Sequence, residues 1–501
     1  MQYKHKYIGA IDAGTTSVRF IIFNKQGDII ASAQKEHRQL LPQAAWVEHD
    51  PLEIWLNCQF VIQTALQKAG IRSEEIAALG ITNQRETVVA WNRKTGAPIY
   101  NAIVWQDTRT EMFCQKLRTQ GHSEAIQKKT GLPPSTYFSA SKMHWILENI
   151  TEAKSSLNRQ ELLFGTIDSW IIWNLAGGKH FTDVTNASRT QLMNLESLAW
   201  DADLLEIFSI PIDTLPKIVA SSSAQGFGST MKSGPFSAAL PICGVLGDQQ
   251  AALFGQACFA VGESKNTYGT GAFMLLNTGS NIFASQHGLL STLAYQLESE
   301  APVYALEGSV AYAGSTMQWL RDKIGLFHDA KDSEAMALAV ADNGGCYLVP
   351  AFSGLFAPHW RSDARGVIVG LTGYTNKNHL VRAALESVCF QTFDVLEAMT
   401  HDSKKKLKVL RVDGGACANN FLMQFQADIL QIEVARPKVL ETTCLGAAYA
   451  AGLAVGFWPG LASLKDNWQL DRKWIPCMNL DDREKLLRNW QKALKRSLGW
   501  L

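Results

Sequence analysis

One pattern occurs twice in this chain and constrains its fold more than any other feature: a short strand, a glycine–threonine turn, and a second short strand. The first copy reads YIGAIDAGTTSVRFIIF and covers residues 7–23. The second reads VGESKNTYGTGAFMLLNTG and covers residues 261–279. Strands joined by such short turns pair as antiparallel hairpins. The repeat predicts two similar α/β halves, related by an ancient duplication, with a cleft between them.

The segments that follow each hairpin support this prediction. In the first half, helical periodicity runs from Asp50, a candidate N-cap, to Gly70, and Glu53 gives a capping-box-like pattern. The run IAALGIT then predicts a buried strand. In the second half, residues 378–400 predict a helix, LKVLRVDGG a strand, and CANNFLMQFQADIL another helix. The 501 residues fit several domains on size alone. We expect an N-terminal domain over residues 1–254 and a C-terminal domain over residues 255–501.

Charge and cysteine content exclude several classes of partner. The formal net charge is +1, which gives no overall field for binding nucleic acid or an anionic membrane. None of the nine cysteines forms a CxxC pair, which argues against local zinc or redox motifs and fits a reducing compartment. The early Asp12 interrupts any signal-peptide core, so we expect a cytoplasmic location.

One segment resembles a membrane span because residues 442–464 carry no charge. Glycines and a proline interrupt this segment, and small residues dominate it. We therefore predict a buried, closely packed helix followed by a turn rather than a membrane-inserted helix.

The glycine turns are candidate phosphate sites. In DAGTTS, residues 12–17, backbone N–H groups and the hydroxyls of Thr15, Thr16 and Ser17 can hold phosphate oxygens, and Arg19 adds a cation. Asp12 could hold Mg²⁺, which prefers oxygen ligands. An ordinary hairpin turn is the alternative interpretation. The turn in NTYGTGAF repeats this chemistry, and DGGACANN adds a third glycine turn between a strand and a helix.

No GxxxxGK[ST] loop occurs in the chain, and the GxG of residues 269–271 lacks the third glycine of a dinucleotide fingerprint. Two phosphate turns and a third glycine turn across two like halves are instead the plan of the actin-like ATPases. The expected fold class is therefore α/β, with two actin-like, ribonuclease H-like domains of the hexokinase, Hsp70 and actin superfamily. ATP would lie in the cleft between these domains.

Further stretches carry a more specific resemblance. They include ITNQRETVVAW (81–91), YNAIVWQDTRT (100–110), YFSASKMHWILEN (137–149), GDQQAALFGQ (247–256) and GVIVGLTGYTNKNHLVRAALE (366–386). With these motifs the chain resembles the FGGY family of carbohydrate kinases from about residue 7 to about residue 460, and within it the members that phosphorylate glycerol.

The resemblance implies roles for individual residues. The positions matching the glycerol-binding set are Arg85, Glu86, Trp105, Tyr137, Asp248, Gln249 and Phe273. Those matching the phosphate and nucleotide contacts are Thr15, Thr16, Ser17, Arg19, Thr270, Gly314, Gln318, Gly415, Ala416 and Asn419. Asp248 would be the general base, and Asp12 and Asp248 would hold Mg²⁺. Relatives are often dimers or tetramers, so a homo-oligomer is expected.

The residue chemistry agrees with these roles. Arg85 and Glu86 offer donors and acceptors for a triol from adjacent positions. A carboxylate at position 248, set among glycines, alanines and apolar residues, could take the proton of an attacking hydroxyl. A capped or paired core aspartate is the alternative for Asp248. A kinase of another polyol or sugar, and a non-enzymatic ATP-binding module, are the alternatives for the whole chain.

The chain departs from the family pattern at several positions. Ala13 replaces a common glutamine in the first turn. In GLFAPHWRSDARG, residues 354–366, Phe356 replaces a glycine, His359 a tyrosine and Arg361 an aspartate. A phenylalanine at position 356 requires either ordinary φ there or a rearranged loop.

Overall fold

The computed structural model describes residues 5–500 of the chain. Over these residues it has twenty β-strands. They are β1 (Tyr7–Ala13), β2 (Ser17–Phe23), β3 (Ile29–Glu36), β4 (Glu48–His49), β5 (Ile76–Asn83), β6 (Val88–Asn92), β7 (Ala102–Ile103), β8 (Leu162–Thr166), β9 (Phe181–Asp183), β10 (Lys217–Val219), β11 (Ile242–Gly247), β12 (Ser264–Tyr268), β13 (Ala272–Gly279), β14 (Leu290–Tyr295), β15 (Val303–Val310), β16 (Tyr347–Val349), β17 (Val367–Val369), β18 (Val409–Asp413), β19 (Glu433–Pro437) and β20 (Leu470–Trp474).

The same residues form sixteen α-helices and three short 3₁₀ helices. The α-helices are α1 (Pro51–Ala69), α2 (Glu111–Thr119), α3 (Ser123–Thr130), α4 (Ser139–Asn149), α5 (Thr151–Asn158), α6 (Ile167–Leu175), α7 (Val184–Ala187), α8 (Ala202–Phe208), α9 (Asp248–Gly255), α10 (Gly314–Asp322), α11 (Asp332–Leu338), α12 (Lys377–Ser403), α13 (Asn420–Leu430), α14 (Thr442–Ala454), α15 (Leu461–Asn467) and α16 (Leu480–Arg496). The 3₁₀ helices are Ser73–Glu75, Ile212–Thr214 and Gly415–Ala418.

Two large sheets repeat one topology. The five-stranded sheet has the order β11-β5-β1-β2-β3, and the seven-stranded sheet has the order β14-β15-β13-β12-β18-β19-β20. In the first, β1–β2 and β2–β3 pair antiparallel, while β1–β5 and β5–β11 pair parallel. In the second, β12–β13 and β13–β15 pair antiparallel, while β12–β18 and β18–β19 pair parallel. The predicted pair of similar α/β halves is thereby confirmed at the level of strand order and direction.

The uncharged segment at 442–464 forms the closely packed helix that its composition predicts. Helix α14 lies against the five-stranded sheet and against α9. Its approach is so close that a Cβ on Gly446 would lie 1.8 Å from the carbonyl oxygen of Ala251, and one on Gly80 would lie 2.3 Å from that of Ala447. Within residues 5–500 there is no helix whose length and apolar character would let it cross a membrane.

Helix α1 begins and ends where the sequence predicts. The Asp50 side chain accepts the N–H of Leu52 at 2.9 Å, and Gly70 ends the helix in the left-handed region with φ 62°. The capping-box prediction is wrong, because the Glu53 carboxylate instead binds the backbone N–H and Nε of Arg38. The proposed domain boundary at 254/255 falls at the last residues of α9 and remains a prediction.

Candidate active site

A cavity of about 240 Å³ lies where the glycine–threonine turns of the two large sheets face each other. Its walls come from both halves of the chain. The lining residues are Asp12, Gly14, Thr15, Thr16, Gln39, Arg85, Glu86, Trp105, Gln106, Tyr137, Asp248, Gln249, Thr267, Gly269, Thr270, Gly271, Phe273 and Thr443. Every residue that the sequence predicts for polyol binding is among them.

The first turn is held from behind through its carbonyl groups. The carbonyl of Gly14 accepts from Nε2 of Gln84 at 3.1 Å. The carbonyl of Thr15 accepts from Nε2 of His37 at 2.8 Å and from Nε2 of Gln39 at 2.9 Å. Because N–H and C=O of a trans peptide point in opposite directions, these bonds turn the N–H groups of Thr15 and Thr16 the other way. Neither N–H has a hydrogen-bond partner within residues 5–500, so both can receive an anion.

Two residues predicted for phosphate binding lie outside the cavity wall. The Ser17 hydroxyl accepts from Nε2 of Gln34 at 3.0 Å. Arg19 pairs with Glu441 at 2.6 Å and donates from Nε to Gln34 at 3.0 Å. Their phosphate contacts therefore remain a prediction, one that requires Arg19 to exchange a carboxylate partner for a phosphate.

Arg85 is a buried guanidinium that reaches the catalytic-base candidate. It follows β5, and its Nε lies 3.2 Å from Oδ1 of Asp248. One terminal nitrogen donates to Gln250 at 3.2 Å, and the other lies 3.4 Å from the Tyr137 hydroxyl. The neighbouring Glu86 takes the left-handed conformation, with φ 62°, and is also buried. The sharp turn places two adjacent, oppositely charged side chains on the same cavity.

Aromatic side chains form one wall of the cavity. The ring centroid of Trp105 lies 5.6 Å from that of Tyr137 and 6.2 Å from that of Phe273. The indole Nε1 of Trp105 donates to Oγ1 of Thr15 at 3.0 Å. This bond ties the aromatic wall to the first phosphate turn.

A buried lysine fixes the loop that carries Tyr137. Lys142 donates from Nζ to the carbonyls of Thr136, Tyr137 and Phe138 at 2.7, 2.8 and 2.9 Å. Burial lowers the pKa of Lys142 to about 8. The ammonium group therefore replaces water as the partner of three consecutive carbonyls.

Asp248 is the first residue of α9, directly after β11, and its side chain is 29% exposed in otherwise buried surroundings. Oδ1 accepts the N–H of Gln249 at 2.8 Å, and Oδ2 accepts from Nε2 of the same residue at 3.1 Å. Gln249 is fixed in turn by Nζ of Lys265 at 2.5 Å. The carboxylate is held in one orientation but still opens to the cavity. The pair with Arg85, at 3.2 Å, also fits the alternative of a capped or paired core aspartate, so the role of Asp248 stays a prediction.

Asp12 brings a second carboxylate to the cavity. Burial, opposed by the charge of Arg19 and assisted by those of Glu441 and Asp248, raises the pKa of Asp12 to about 7. No cluster of three or more metal-ligating side chains occurs in the described part of the chain. Two carboxylates that repel each other suit a cation whose remaining ligands come from phosphate oxygens and water, which is the usual way Mg²⁺ binds.

A second cavity, of about 360 Å³, shares Gly269 and Thr270 with the first. All six predicted nucleotide positions line it: Thr270, Gly314, Gln318, Gly415, Ala416 and Asn419. Asn419 also caps α13 by accepting the N–H of Leu422 at 2.9 Å. The two groups of predicted residues therefore line adjoining cavities.

Three buried charged residues beside the site were missed from the sequence. Lys265 donates a hydrogen bond to Gln249, Glu307 accepts one from Arg85, and Arg189 donates one to Glu86. Glu307 lies in the apolar strand VYALEGSV, where a single charged residue is the one available signal. The partners are between 16 and 222 residues apart in the chain, a separation that local patterns do not reveal.

The structure accommodates Phe356, one of the departures from the family pattern, without backbone strain. Its φ is not positive, so the ordinary conformation applies. Its ring lies 6.1 Å from that of Tyr137 and 6.1 Å from that of Trp360, outside the aromatic wall. His359 lies 3.2 Å from Asp394, Arg361 binds Asp363, and Ala13 is buried in the core.

Comparison with known proteins gives concordant results. Residues 7–255 match the N-terminal domain, and residues 264–455 the C-terminal domain, of the FGGY family of carbohydrate kinases. A glycerol kinase of Brucella anthropi is 54% identical over 500 residues, covering 99% of both chains. One of Chloroflexus aggregans is 55% identical over 500 residues with the same coverage. The crystal structure of Plasmodium falciparum glycerol kinase with ADP superposes with a TM-score of 0.90 at 39% identity, covering 99% of both chains. This likeness confirms the predicted fold class.

Proposed function

The chain belongs to the FGGY family of carbohydrate kinases, and we propose that it phosphorylates glycerol with ATP to give sn-glycerol 3-phosphate and ADP. The observation that carries the proposal is the placement of Asp248. Its partly exposed carboxylate opens into a cavity walled by Arg85, Glu86 and aromatic rings, and a second cavity lined by the nucleotide positions adjoins it.

The cavity suits a small triol. Arg85 supplies donors and Glu86 supplies acceptors, while Trp105 and Phe273 cover the carbon-bound hydrogens. A site that bonds every hydroxyl discriminates against analogues that lack one, because its own buried polar groups would then stay unpaired. The volume of about 240 Å³ also accommodates a terminal phosphate beside a three-carbon substrate.

Asp248 acts as the general base in this proposal. It accepts the proton of a terminal hydroxyl as that oxygen forms a bond to the γ-phosphorus of ATP. The bond from that phosphorus to the β,γ-bridging oxygen breaks, and ADP leaves with the bond's electrons. The N–H groups of Thr15 and Thr16 hold phosphate oxygens, and alignment supplies much of the rate.

Asp12 and Asp248 are the residues that would hold Mg²⁺. The ion would neutralise phosphate charge when bound. The placement of both carboxylates on the same cavity supports this assignment, since Mg²⁺ prefers oxygen ligands.

A coupled assay of ADP release tests the reaction. Glycerol-dependent ADP release, with glycerol preferred over xylulose, gluconate and other polyols, is the expected result. Preference for another polyol would reassign the substrate. Absence of ADP release with every polyol would indicate an ATP-binding module without kinase activity.

The variant Asp248→Asn tests the general base. Turnover should fall about 10²–10⁴-fold, the range for loss of general-base catalysis, while glycerol and ATP still bind. Asp50→Asn is the matched control, because asparagine caps α1 as well as aspartate does and position 50 does not line the cavity. Near-normal turnover of Asp248→Asn would refute the assignment. A homo-oligomer, the 254/255 domain boundary and a cytoplasmic location stay predictions.

A further inference from the structure

The substrate pair Arg85 and Glu86 belongs to a closed ring of four buried charges. The two terminal nitrogens of Arg85 bind the carboxylate of Glu307 at 2.5 and 2.9 Å. Nη2 of Arg189 binds the same carboxylate at 3.0 Å, and Nε of Arg189 binds Glu86 at 2.7 Å. Arg85 and Glu86 complete the ring at 3.8 Å. Positive and negative groups alternate around it, and their formal charges sum to zero.

All four side chains are withdrawn from solvent. Arg189 and Glu307 are 0% exposed, and Arg85 and Glu86 are 2% exposed. Burial alone would raise the pKa of Glu307, but Arg189 and Arg85 hold it at about 2. A buried charge of this kind is tolerated only when its partners satisfy it in fixed geometry. Each member of the substrate pair therefore has its own opposite charge behind it.

The ring also connects the two large sheets. Arg85 follows β5 of the five-stranded sheet, whereas Glu307 lies in β15 of the seven-stranded sheet. Arg189 follows α7 and bridges Glu307 to Glu86. The orientation of the predicted substrate arginine is therefore set by a strand of the other sheet.

We propose that Glu307 and Arg189 are positioning residues that fix Arg85 and Glu86 for recognition of the triol. The inference rests on the proposed glycerol kinase function. Glu307 occupies both terminal nitrogens of Arg85 and so fixes the plane of the guanidinium group and the direction in which Nε points. Arg189 does the same for one oxygen of Glu86 and leaves the other oxygen for a hydroxyl. Neither Glu307 nor Arg189 lines the cavity.

The ring also limits the strength of the ion pair between Arg85 and Asp248, because Glu307 shares the charge of Arg85. With Glu307 neutralised, Arg85 loses its strongest partner, and Asp248, 3.2 Å from Nε, becomes the main anion near it. A tighter Arg85–Asp248 pair would occupy the carboxylate needed for proton transfer. Loss of Glu307 should therefore impair both glycerol binding and turnover, but not nucleotide binding.

The test compares Glu307→Gln with Glu386→Gln. Glu386 is an equally buried glutamate that binds Arg382 and Asn343 and lines neither cavity. The KM for glycerol, the KM for ATP, kcat and the melting temperature are measured for the unmodified chain and both variants. Glu307→Gln should raise the glycerol KM roughly 10–100-fold, the range for a lost charged hydrogen bond, and should lower kcat. The ATP KM should stay within about twofold for both variants, and Glu386→Gln should leave the glycerol KM unchanged.

Two further variants keep the proposal open to refutation if Glu307→Gln does not fold. Arg189→Lys keeps the charge but loses the forked geometry, so it should also raise the glycerol KM. Glu307→Asp keeps the charge on a shorter side chain and should recover part of the loss. Equal changes in glycerol KM for Glu307→Gln and Glu386→Gln would overturn the inference, as would a normal glycerol KM in Arg189→Lys. Failure of the proposed function itself would appear separately, as absence of glycerol-dependent ADP release in the unmodified chain.

Discussion

Two glycines in the predicted nucleotide cavity allow the site to be perturbed in different ways by the same substitution. A Cβ on Gly314 would lie 2.6 Å from the carbonyl oxygen of Gly269, which also accepts the N–H of Gly314 at 3.0 Å. A Cβ on Gly415 would meet no atom within 4 Å and would extend into the cavity. Neither glycine has positive φ, so alanine can adopt the backbone dihedral angles of both positions.

The contact distances set the expected magnitudes. The Gly314→Ala methyl group must push the turn at residues 269–271 away from α10, because contacts of 2.6 Å are not sustained. Overpacking of this kind costs about 1–3 kcal/mol, which for cooperative units of about 250–500 residues corresponds to a melting temperature lower by roughly 1–6 °C. If the displaced turn carries that cost, the ATP KM rises about 5–150-fold. Gly415→Ala should leave the melting temperature unchanged and raise only the ATP KM.

The assays are thermal unfolding without ligand and steady-state kinetics with ATP and glycerol varied in turn. The glycerol KM is the internal control for Gly415→Ala, because Gly415 does not line the first cavity, whereas the turn at 269–271 that Gly314→Ala displaces does. An unchanged melting temperature in Gly314→Ala would refute the packing argument. An unchanged ATP KM in Gly415→Ala would refute the assignment of the second cavity to the nucleotide.

Three other substitutions test separate parts of the site. Lys142→Met should raise the glycerol KM and lower the melting temperature, because it leaves three carbonyls of the loop carrying Tyr137 without their donor; an unchanged glycerol KM would contradict this. Trp105→Phe, which removes the hydrogen bond to Thr15, should lower kcat with little change in melting temperature, as steady-state kinetics would show. Burial and a neighbouring imidazole lower the pKa of His49 to about 3 in the folded chain, against about 6.5 when unfolded. The unfolded state therefore binds the proton first on acidification, and His49 should cost about 2 kcal/mol of stability between pH 7 and pH 5; His49→Gln should lose less on acidification, and equal losses would refute the argument.

The fold was predictable because its signals are local and repeated. The hairpins at 7–23 and 261–279 are each specified by two short strand-forming segments joined by a glycine–threonine turn. The bounds of α1 follow from a capping aspartate and a terminal glycine. Glu53 was misassigned because a carboxylate in the first turn can bind either the helix or a neighbouring chain segment, and only the tertiary structure brings Arg38 to it.

The residues of the candidate site also divide into those with a local sequence signal and those identified only by tertiary contacts. Residues that line the cavities stand in glycine-rich or polar motifs, which made them recognisable in the sequence. Glu307 and Arg189 contact these residues from behind, from strands and turns more than a hundred positions away in the chain. Their importance depends on burial and charge pairing, and both properties are known only from the tertiary structure.

The uncharged segment at 442–464 shows why composition alone is ambiguous. A charge-free helix is required in a membrane, but it is equally required where a helix is enclosed by protein on every side. Helix α14 meets the five-stranded sheet through Gly80 and α9 through Gly446, at distances that exclude even a methyl group. Its N-terminal Thr443 reaches the first cavity, and the preceding Glu441 binds Arg19. The same absence of charge that resembles a membrane span therefore lets α14 pack directly against α9, the helix that begins at Asp248.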